Sequence, residues 1–255
     1  MERKSPYLFT FIVAYRHRTD RIFNLKRVLD WILGFNGVEV IIVEQDDAPR
    51  LHAFTLRGFK HIFVKSDLPF NKANAFNVGL KAASSDVVVF GDSDLIMNPT
   101  AFIDSLKKLE EFEAVSPYNR VIDLEQNEVN MSIEQMMMIP RSGRGEFDHQ
   151  KVPLCGGIIM FRKEAIHRIG GWCEDFIGWG GEDDFQSIKT KRFLRWSELD
   201  SKVFHLWHHR GSPDMKWYQR NLQLLQKLSE LSEHDLMKHI QNSISKIGFK
   251  NKFDK

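Results

Sequence analysis

An aromatic residue, two glycines and three acids stand in immediate succession in this chain: Trp179, Gly180, Gly181, Glu182, Asp183 and Asp184. Glycine permits unusual backbone angles and the close approach of a ligand, and carboxylates at a helix start are stabilised by the helix macrodipole. An indole face beside ionised carboxylates suits a sugar ring, because the C–H face stacks on the indole while hydroxyls bond to the acids. The alternative interpretation is a glycine turn that leads into an acidic helix N-terminus.

A second acidic pair, Asp92 and Asp94, follows the apolar, β-branched run at 86–90. Such a run is typical of a buried strand in a parallel sheet, and ligands of open α/β sheets bind beyond the carboxyl ends of the strands. Because alternate residues at a strand end point to the same side, both carboxylates are expected to face one ligand or metal ion. The alternative is an Asx turn that simply ends the strand.

Three histidines, His205, His208 and His209, lie within five positions after a strand-like run. A single histidine is usually structural, but this cluster predicts that at least one of them binds a metal. Carboxylate oxygen and imidazole nitrogen together suit Mn²⁺, and they suit Zn²⁺ less well. We therefore predict Mn²⁺ as the cofactor, with Mg²⁺ as the alternative.

Strands and helices alternate through the first half of the chain. The hydrophobic pattern predicts strands at 8–14, 38–43, 61–64 and 86–90, and helices at 20–33, 74–83 and 99–112. Asp20 is expected to cap the first of these helices. The alternation favours an α/β fold, with a mostly parallel sheet and right-handed crossovers.

The second half shows a different pattern. A strand is predicted at 155–161, a short helix at 163–169, and one or two helices at 217–247. The weakly periodic stretch at 117–151 is typical of a lid or a disordered segment. The leucine and isoleucine stripe of the last helices predicts a packing face, and a peripheral membrane contact or a homo-oligomer contact is the alternative.

The composition fits an ordinary globular enzyme of 255 residues, with 42% hydrophobic and 27% charged residues. The net charge of +2 argues against a nucleic-acid partner. Cys155 and Cys173 lack metal-ligand spacing and fit a reducing compartment, although two cysteines can also pair. The sequence shows no signal peptide and no apolar run of membrane-spanning length. We therefore expect a cytoplasmic protein, with a peripheral position at the inner face of the membrane as a variant of this prediction.

Several motifs occur together in one order along the chain: FNKANAFNVG at 70–79, DSDLI at 92–96, Gly156-Gly157, Gly170-Gly171, and the tryptophan–acid motif at 179–184. This ordered set resembles the β-1,4-galactosyltransferase family and the related chondroitin-type synthases, and the resemblance covers about 8–210. These proteins are inverting glycosyltransferases of the GT-A fold. The resemblance therefore implies a Rossmann-like, mostly parallel central sheet with flanking helices, followed here by a helical C-terminal tail.

The resemblance also implies roles for individual residues. Asp183 is expected to be the catalytic base, with Glu182 and Asp184 holding acceptor or donor hydroxyls and Trp179 lining the acceptor site. Asp94, with His205 or His208, is expected to bind the metal, and Asp92 the ribose or the metal shell. The remaining predicted substrate-binding residues are Ala14, Tyr15, Arg16 and Arg18 in the nucleotide loop, together with Asp46, Asn71, Lys72, Asn77, Gly157, Gly180 and Gly181.

The function implied by the resemblance is transfer of galactose, N-acetylgalactosamine or glucose from a UDP-sugar to a sugar hydroxyl of a glycan, glycoprotein or lipid-linked acceptor. We expect a nucleotide-sugar-binding half at 1–115, an acceptor-binding and catalytic half at 116–211, and a helical extension at 212–255. Two alternatives are a nucleotide-sugar hydrolase that uses the same acids and a non-catalytic carbohydrate-binding protein. The segment after His208 departs from the family pattern, and so does the lack of an N-terminal anchor and stem.

Overall fold

A mostly parallel sheet forms the centre of the protein in the computed structural model, which describes residues 5–53, 57–145, 152–209, 211–212 and 214–248. The strands are β1 (Phe9–Tyr15), β2 (Val38–Asp46), β3 (Lys60–Lys65), β4 (Val87–Gly91), β5 (Leu95–Met97), β6 (Ala114–Ser116), β7 (Arg120–Asp123), β8 (Ile159–Arg162), β9 (Trp196–Glu198) and β10 (Lys202–His205). The helices are α1 (Ile22–Ile32), α2 (Lys72–Ala82), α3 (Pro99–Lys108), α4 (Ile133–Met137), α5 (Lys163–Arg168), α6 (Glu182–Phe193), α7 (Met215–Ser229) and α8 (Glu233–Ile247).

The large sheet has the spatial order β3-β2-β1-β4-β8-β6-β9. Its first four strands run parallel, and β8 is antiparallel to both of its neighbours. Every residue of β1 is buried, as expected of a strand that has a hydrophobic core on each face. The predicted α/β class is confirmed, and the carboxyl ends of β1, β2 and β4 lie at one edge of the sheet.

A smaller sheet has the order β5-β10-β7. β10 is antiparallel to β5 and parallel to β7, so that His205 lies opposite both Leu95 and Asp123. The sequence pattern does not predict β5 or β7, which have three and four residues. This sheet connects the segment after β4 with the histidine cluster.

The helices α1 and α2 begin at different residues from those predicted. α1 follows the N-cap residue Arg21, which makes no side-chain cap, so the prediction that Asp20 caps this helix is wrong. The Asp20 carboxylate instead accepts two hydrogen bonds of 3.1 Å from Arg18. α2 begins earlier than predicted, because the Asn71 side chain caps it by accepting from the N–H of Asn74.

The C-terminal segment forms two helices, α7 and α8. Leu228, Leu236 and Ile240 are buried in the core, which confirms the predicted packing face, whereas Leu222 of the same stripe is exposed. Within the described ranges, no helix is long and apolar enough to cross a membrane.

The stretch at 117–151 has more regular structure than its weak periodicity indicates. It contains β7 and α4, and α4 begins with a capping box formed by Ser132 and Gln135. The part of the predicted lid at 146–151 lies outside the described residues. Cys155 and Cys173 are both buried and free, so they do not form the alternative disulfide.

Gly79 allows α2 to lie directly on β1, because a Cβ atom at this position would overlap Cγ2 of Ile12. We expect Gly79→Ala to lower the free energy of unfolding by about 1–3 kcal/mol through overpacking, although alanine favours a helix by about 1 kcal/mol over glycine. Urea denaturation measures this change. The control is Lys81→Ala on the exposed side of α2, which should change stability by less than about 0.5 kcal/mol. A Gly79→Ala variant as stable as the parent would contradict the close contact.

Candidate active site

Two groups of charged side chains lie beyond the carboxyl end of β4. The first, which we call the metal group, comprises Asp94, His205 and His208, whose potential ligand atoms all lie within 4.8 Å of one another. Asp94 Oδ2 is 3.3 Å from His208 Nε2 and 3.8 Å from His205 Nε2. Arg21 Nη1 lies 3.6 Å from the same oxygen. The structure therefore brings together the carboxylate and the two histidines that the sequence nominated as metal ligands.

The small sheet positions the metal group. Asp94 directly precedes β5, and His205 is the last residue of β10, which pairs with β5. The N–H of Leu206 donates to the carbonyl of Asp94 at 2.8 Å, which fixes the two segments to each other. His209 is not part of the metal group, and its ring packs on Trp207 with centroids 4.7 Å apart.

Asp123 is a candidate functional residue that the sequence prediction missed. It ends β7 opposite His205, and its Oδ1 lies 2.8 Å from His205 Nδ1. Arg144 holds the same carboxylate through Nε at 2.9 Å and Nη2 at 3.0 Å. A carboxylate on Nδ1 orients the ring so that Nε2 faces Asp94, as is common for metal-binding histidines. The available signal was an acid at the end of an apolar run, the same pattern that precedes Asp92.

The charge balance of the metal group keeps Asp94 ionised. Burial alone would raise the pKa of Asp94, but His205, His208 and Arg21 outweigh it and hold this pKa well below its usual range. Burial would lower the pKa of His205, but the carboxylates of Asp123 and Asp94 raise it to about 9. The donor set fits a divalent cation, because oxygen and imidazole atoms at this spacing can share an ion at bond lengths of about 2.0–2.2 Å. Binding of such an ion would displace the proton from His205.

The second group, which we call the lysine group, comprises Lys72 and the carboxylates of Asp92, Glu182 and Asp183. Lys72 Nζ lies 2.8 and 2.9 Å from the two oxygens of Asp183, 3.1 Å from Glu182 Oε1 and 3.6 Å from Asp92 Oδ1. Lys72 is the first residue of α2 and Glu182 the first of α6, whereas Asp92 follows β4. One ammonium group therefore joins three separate elements.

The crowding of three carboxylates around Lys72 shifts the pKa values of Asp183 and of Lys72 itself. Burial raises the pKa of Asp183 well above its usual range, and Lys72 opposes this rise only in part, since Glu182 and Asp92 add to it. Burial would lower the pKa of Lys72, but the three carboxylates raise it well above its usual value. The helix start favours ionised acids, yet burial and mutual repulsion dominate at Asp183. A carboxylate with a raised pKa is a better proton acceptor, which suits a general base.

A row of asparagines on α2 holds the loop that leads to the tryptophan–acid motif. Asn71, Asn74 and Asn77 lie on one face of the helix, and each donates to Glu174. Asn71 donates to the backbone carbonyl at 2.7 Å. Asn74 donates to Oε2 at 3.1 Å and Asn77 to Oε1 at 2.9 Å. Asn77 Oδ1 also accepts from the N–H of Trp172 at 2.9 Å. Asn71 and Asn77, which the sequence nominated for substrate binding, are thus engaged by this loop. Glu174 is a further residue that the sequence prediction missed.

Two glycines shape the backbone around the lysine group. Gly181 is the N-cap of α6 with φ of 90°, and a Cβ atom there would lie 2.7 Å from Cε1 of Phe176. Gly157 also has φ of 90°, and a Cβ atom there would overlap the hydroxyl of Tyr118. That hydroxyl donates to the carbonyl of Gly156 and accepts from the N–H of Ile158, so a side chain at Gly157 would disrupt these hydrogen bonds.

The loop after β1 contributes positive charge near both β2 and the metal group. Arg16 Nε lies 3.4 Å from Asp46 Oδ1, and Arg18 Nη2 lies 3.5 Å from the carbonyl of His209. These three predicted residues, Arg16, Arg18 and Asp46, are therefore brought to the same edge of the sheet. Two further residues of the predicted nucleotide loop are buried at the end of β1: Ala14 and Tyr15.

The tryptophan–acid motif presents its indole to solvent. The side chain of Trp179 is 65% exposed and lies shortly before the start of α6. Gly180, which follows Trp179 in the chain, has a φ of 100°, in the region that favours glycine. Burial, with the charge of Glu182, raises the pKa of Asp184. The motif thus combines an available aromatic face with the acids of the lysine group.

This fold and this site define a glycosyltransferase domain, and the chain belongs to glycosyl transferase family 2, whose model matches residues 13–170. The chain is 25% identical over 240 residues to a poly-β-1,6-N-acetyl-D-glucosamine synthase of Staphylococcus epidermidis. The aligned region covers 85% of this chain and 55% of that protein. The chain therefore spans about half the length of this curated relative.

Solved structures show the same fold. GalNAc-T7, in a crystal structure with UDP, GalNAc and Mn²⁺, is similar with a TM-score of 0.61 at 12% identity over 95% of this chain and 55% of that one. TarS of S. aureus is similar with a TM-score of 0.54 at 16% identity over 95% of this chain and 43% of that one. The predicted GT-A fold, with its flanking and C-terminal helices, is thereby confirmed.

Removal of Lys72 tests the charge balance of the lysine group. In Lys72→Met the three carboxylates lose the cation that they share. The pKa values of Asp92 and Asp183, which burial already raises in the parent, therefore rise further above those of the unfolded chain. The folded state then holds protons more tightly, and the stability lost relative to the parent grows as the pH rises from about 4 toward 7. We expect a loss of about 2 kcal/mol at neutral pH, less than for a fully buried pair, because the carboxylates are partly exposed.

Urea denaturation at acidic and neutral pH measures this effect. The matched control is Lys107→Met, which removes an exposed lysine that pairs with Asp104 on α3 and should show little change at either pH. A loss in Lys72→Met that does not depend on pH would contradict the account of the lysine group.

Proposed function

We propose that the protein is a metal-dependent, inverting glycosyltransferase that moves a hexose or N-acetylhexosamine from a UDP-sugar to a sugar hydroxyl. The observation that carries this proposal is the adjacency of the two charged groups. Asp94 belongs to the metal group and Asp92, two residues earlier, to the lysine group. A diphosphate held at Asp94 would therefore direct its sugar toward Asp92 and the acids of α6.

The lysine group supplies the acid–base chemistry of the proposed reaction. Asp183 accepts the proton of the acceptor hydroxyl. The acceptor oxygen then bonds to the anomeric carbon as the bond from that carbon to the diphosphate breaks, and UDP leaves. Lys72, 2.8 Å from Asp183, holds the carboxylate in place and limits the rise of its pKa. A single displacement of this kind inverts the anomeric centre and requires no protein nucleophile.

Glu182 has capacity to bind a substrate hydroxyl. Its Oε1 contacts Lys72, whereas Oε2 is buried without a hydrogen-bond partner among the described residues. A buried polar atom without a partner costs about 1–3 kcal/mol, which a bound hydroxyl would recover. This orphaned oxygen supports a polyhydroxylated substrate beside Asp183.

The metal group would bind the diphosphate end of the donor. A divalent cation held by Asp94 with His205 and His208 would stabilise the negative charge that develops on the leaving group. Asp123 orients His205 for this role, and Arg21 adds positive charge 3.6 Å from Asp94. Mn²⁺ is the proposed ion, and Mg²⁺ is the alternative.

Two other functions are the alternatives to transfer. A nucleotide-sugar hydrolase would admit water in place of the acceptor, and a non-catalytic carbohydrate-binding protein would need neither a base nor a metal group. Measurement of UDP release with and without an acceptor distinguishes transfer from hydrolysis. An increase in UDP release when the acceptor is added would favour transfer. The presence of both charged groups favours an enzyme over a binding protein.

The donor and the subfamily belong to the proposal. The motif resemblance to β-1,4-galactosyltransferases implies galactose, N-acetylgalactosamine or glucose, whereas the name of the staphylococcal relative adds N-acetylglucosamine. A screen of these four UDP-sugars for Mn²⁺-dependent binding separates them. The functional divisions at 115 and 211 remain predictions. A cytoplasmic location, with a peripheral position at the inner face of the membrane as its variant, also remains a prediction.

Replacement of Asp183 tests the proposed base. Asp183→Asn keeps nearly the same shape, so we expect retained folding and UDP affinity, with transfer slower by about two to four orders of magnitude. Glu182→Gln and Asp184→Asn are the matched controls, and part of their loss should appear as a raised KM. Steady-state kinetics with the preferred donor measures all three. Near-normal turnover in Asp183→Asn, with one neighbour inactive, would move the role of base to that neighbour.

Removal of the metal tests the metal group. We expect exhaustive chelation to abolish transfer and added Mn²⁺ to restore it, because the leaving group then lacks its counter-charge. Asp94→Asn should weaken UDP binding in Mn²⁺ by about tenfold or more, which corresponds to the loss of a charged ligand. Calorimetry with UDP, with and without Mn²⁺, measures this affinity. Full turnover after chelation, or unchanged affinity in Asp94→Asn, would exclude the assignment.

A further inference from the structure

Helix α7 packs against the loop that carries Trp179. The rings of Tyr218 and Trp179 have centroids 5.2 Å apart and planes inclined by 32°. A Cβ atom on Gly180 would lie 3.1 Å from two ring carbons of Tyr218, so the tyrosine ring also packs closely against the backbone of the loop. Because Trp179 is nevertheless 65% exposed, Tyr218 backs one face of the indole and leaves the other available.

The same helix satisfies the backbone of this loop. Asn221 is fully buried, and its Nδ2 donates to the carbonyls of Ile177 at 2.9 Å and Trp179 at 3.2 Å. Arg220 Nη1 donates to the carbonyl of Asp175 at 2.8 Å. Three carbonyls before the acids of α6 thus depend on α7 for their hydrogen bonds, and a buried amide is costly to leave unpaired. The position of the indole is therefore set by α7 as well as by its own loop.

We infer that α7 completes the acceptor subsite, with Tyr218 as a positioning residue that fixes the indole of Trp179 for stacking with a pyranose ring of an oligosaccharide acceptor. This inference rests on the proposed function, because the acids beside the indole supply the reaction. Aromatic pairs contribute about 0.5–1.5 kcal/mol, and an indole held in one orientation loses less conformational entropy when a ligand binds. Sugars with equatorial substituents present the flat C–H face that such a surface accepts.

The test uses the full chain labelled with 5-fluorotryptophan, with UDP and Mn²⁺ present, and the Trp179 resonance assigned through Trp179→Phe. The probes are cellotetraose, chitotetraose and the β-1,6-linked tetramer of N-acetylglucosamine. We expect at least one of them to shift the Trp179 resonance and to saturate. Tyr218→Ala should raise the Kd of that oligosaccharide by about tenfold, while Tyr218→Phe stays within about twofold. Leu222→Ala, exposed on the same helix, is the matched control and should leave this Kd unchanged.

Calorimetry of UDP with Mn²⁺ distinguishes a failure of the proposed function from a failure of the acceptor subsite, since all variants should bind UDP like the parent. If the parent does not bind UDP, the proposed function is overturned and this inference with it. If UDP binds but none of the three oligosaccharides shifts the Trp179 resonance, the subsite is overturned alone. Equal Kd values in Tyr218→Ala and Leu222→Ala would refute the role of α7. Should Tyr218→Ala lose UDP affinity through misfolding, Tyr218→Leu, which keeps apolar bulk without the ring, decides by the same comparison.

Discussion

Compensation of buried negative charge is the constraint on which the site depends. Two acids follow β4 and three more open α6, and a carboxylate that is removed from water is costly to keep ionised without a nearby cation. Lys72 meets this need for three carboxylates, with contacts of 2.8 to 3.6 Å. Asp94 is compensated separately, by Arg21 and the histidines. The start of α2, the start of α6 and the end of β4 must therefore meet at one place for the fold to tolerate the acids.

Neutral hydrogen bonds then align what the charges bring together. The asparagine row of α2 holds Glu174 and the loop before the tryptophan–acid motif. Gly181, in the left-handed conformation, turns that loop into α6, so that Glu182 and Asp183 face Lys72. The same helix α2 thus supplies both the cation and the row of amides that orients the acids. A change in α2 is expected to disturb binding and chemistry together.

The sequence predicts those parts of this arrangement that are local. The strands β1 and β4 and the central part of β2 are largely apolar runs, and Asp92 and Asp94 follow one of them. The pattern therefore reveals both the sheet and the edge where ligands are expected to bind. Contacts that depend on pairing between short, distant strands leave no such pattern. Asp123 meets His205 only through the register of β7 and β10, and Tyr218 meets Trp179 only because α7 folds back on the loop. Asp20 shows that a local pattern can also mislead. Aspartate is a favoured N-cap residue, but the carboxylate of Asp20 accepts hydrogen bonds from Arg18 and does not cap α1.

The central claim is that a divalent cation in the metal group holds the diphosphate of the donor, so that the sugar of the donor lies toward the lysine group. The most direct measurement is the anomalous scattering of manganese in crystals grown with UDP and Mn²⁺. The account predicts a manganese peak bonded to Asp94 and to His205 or His208 at about 2.0–2.3 Å, with the diphosphate as a further ligand. A nucleotide bound without manganese at Asp94, or manganese bound only at another place on the protein, would contradict it.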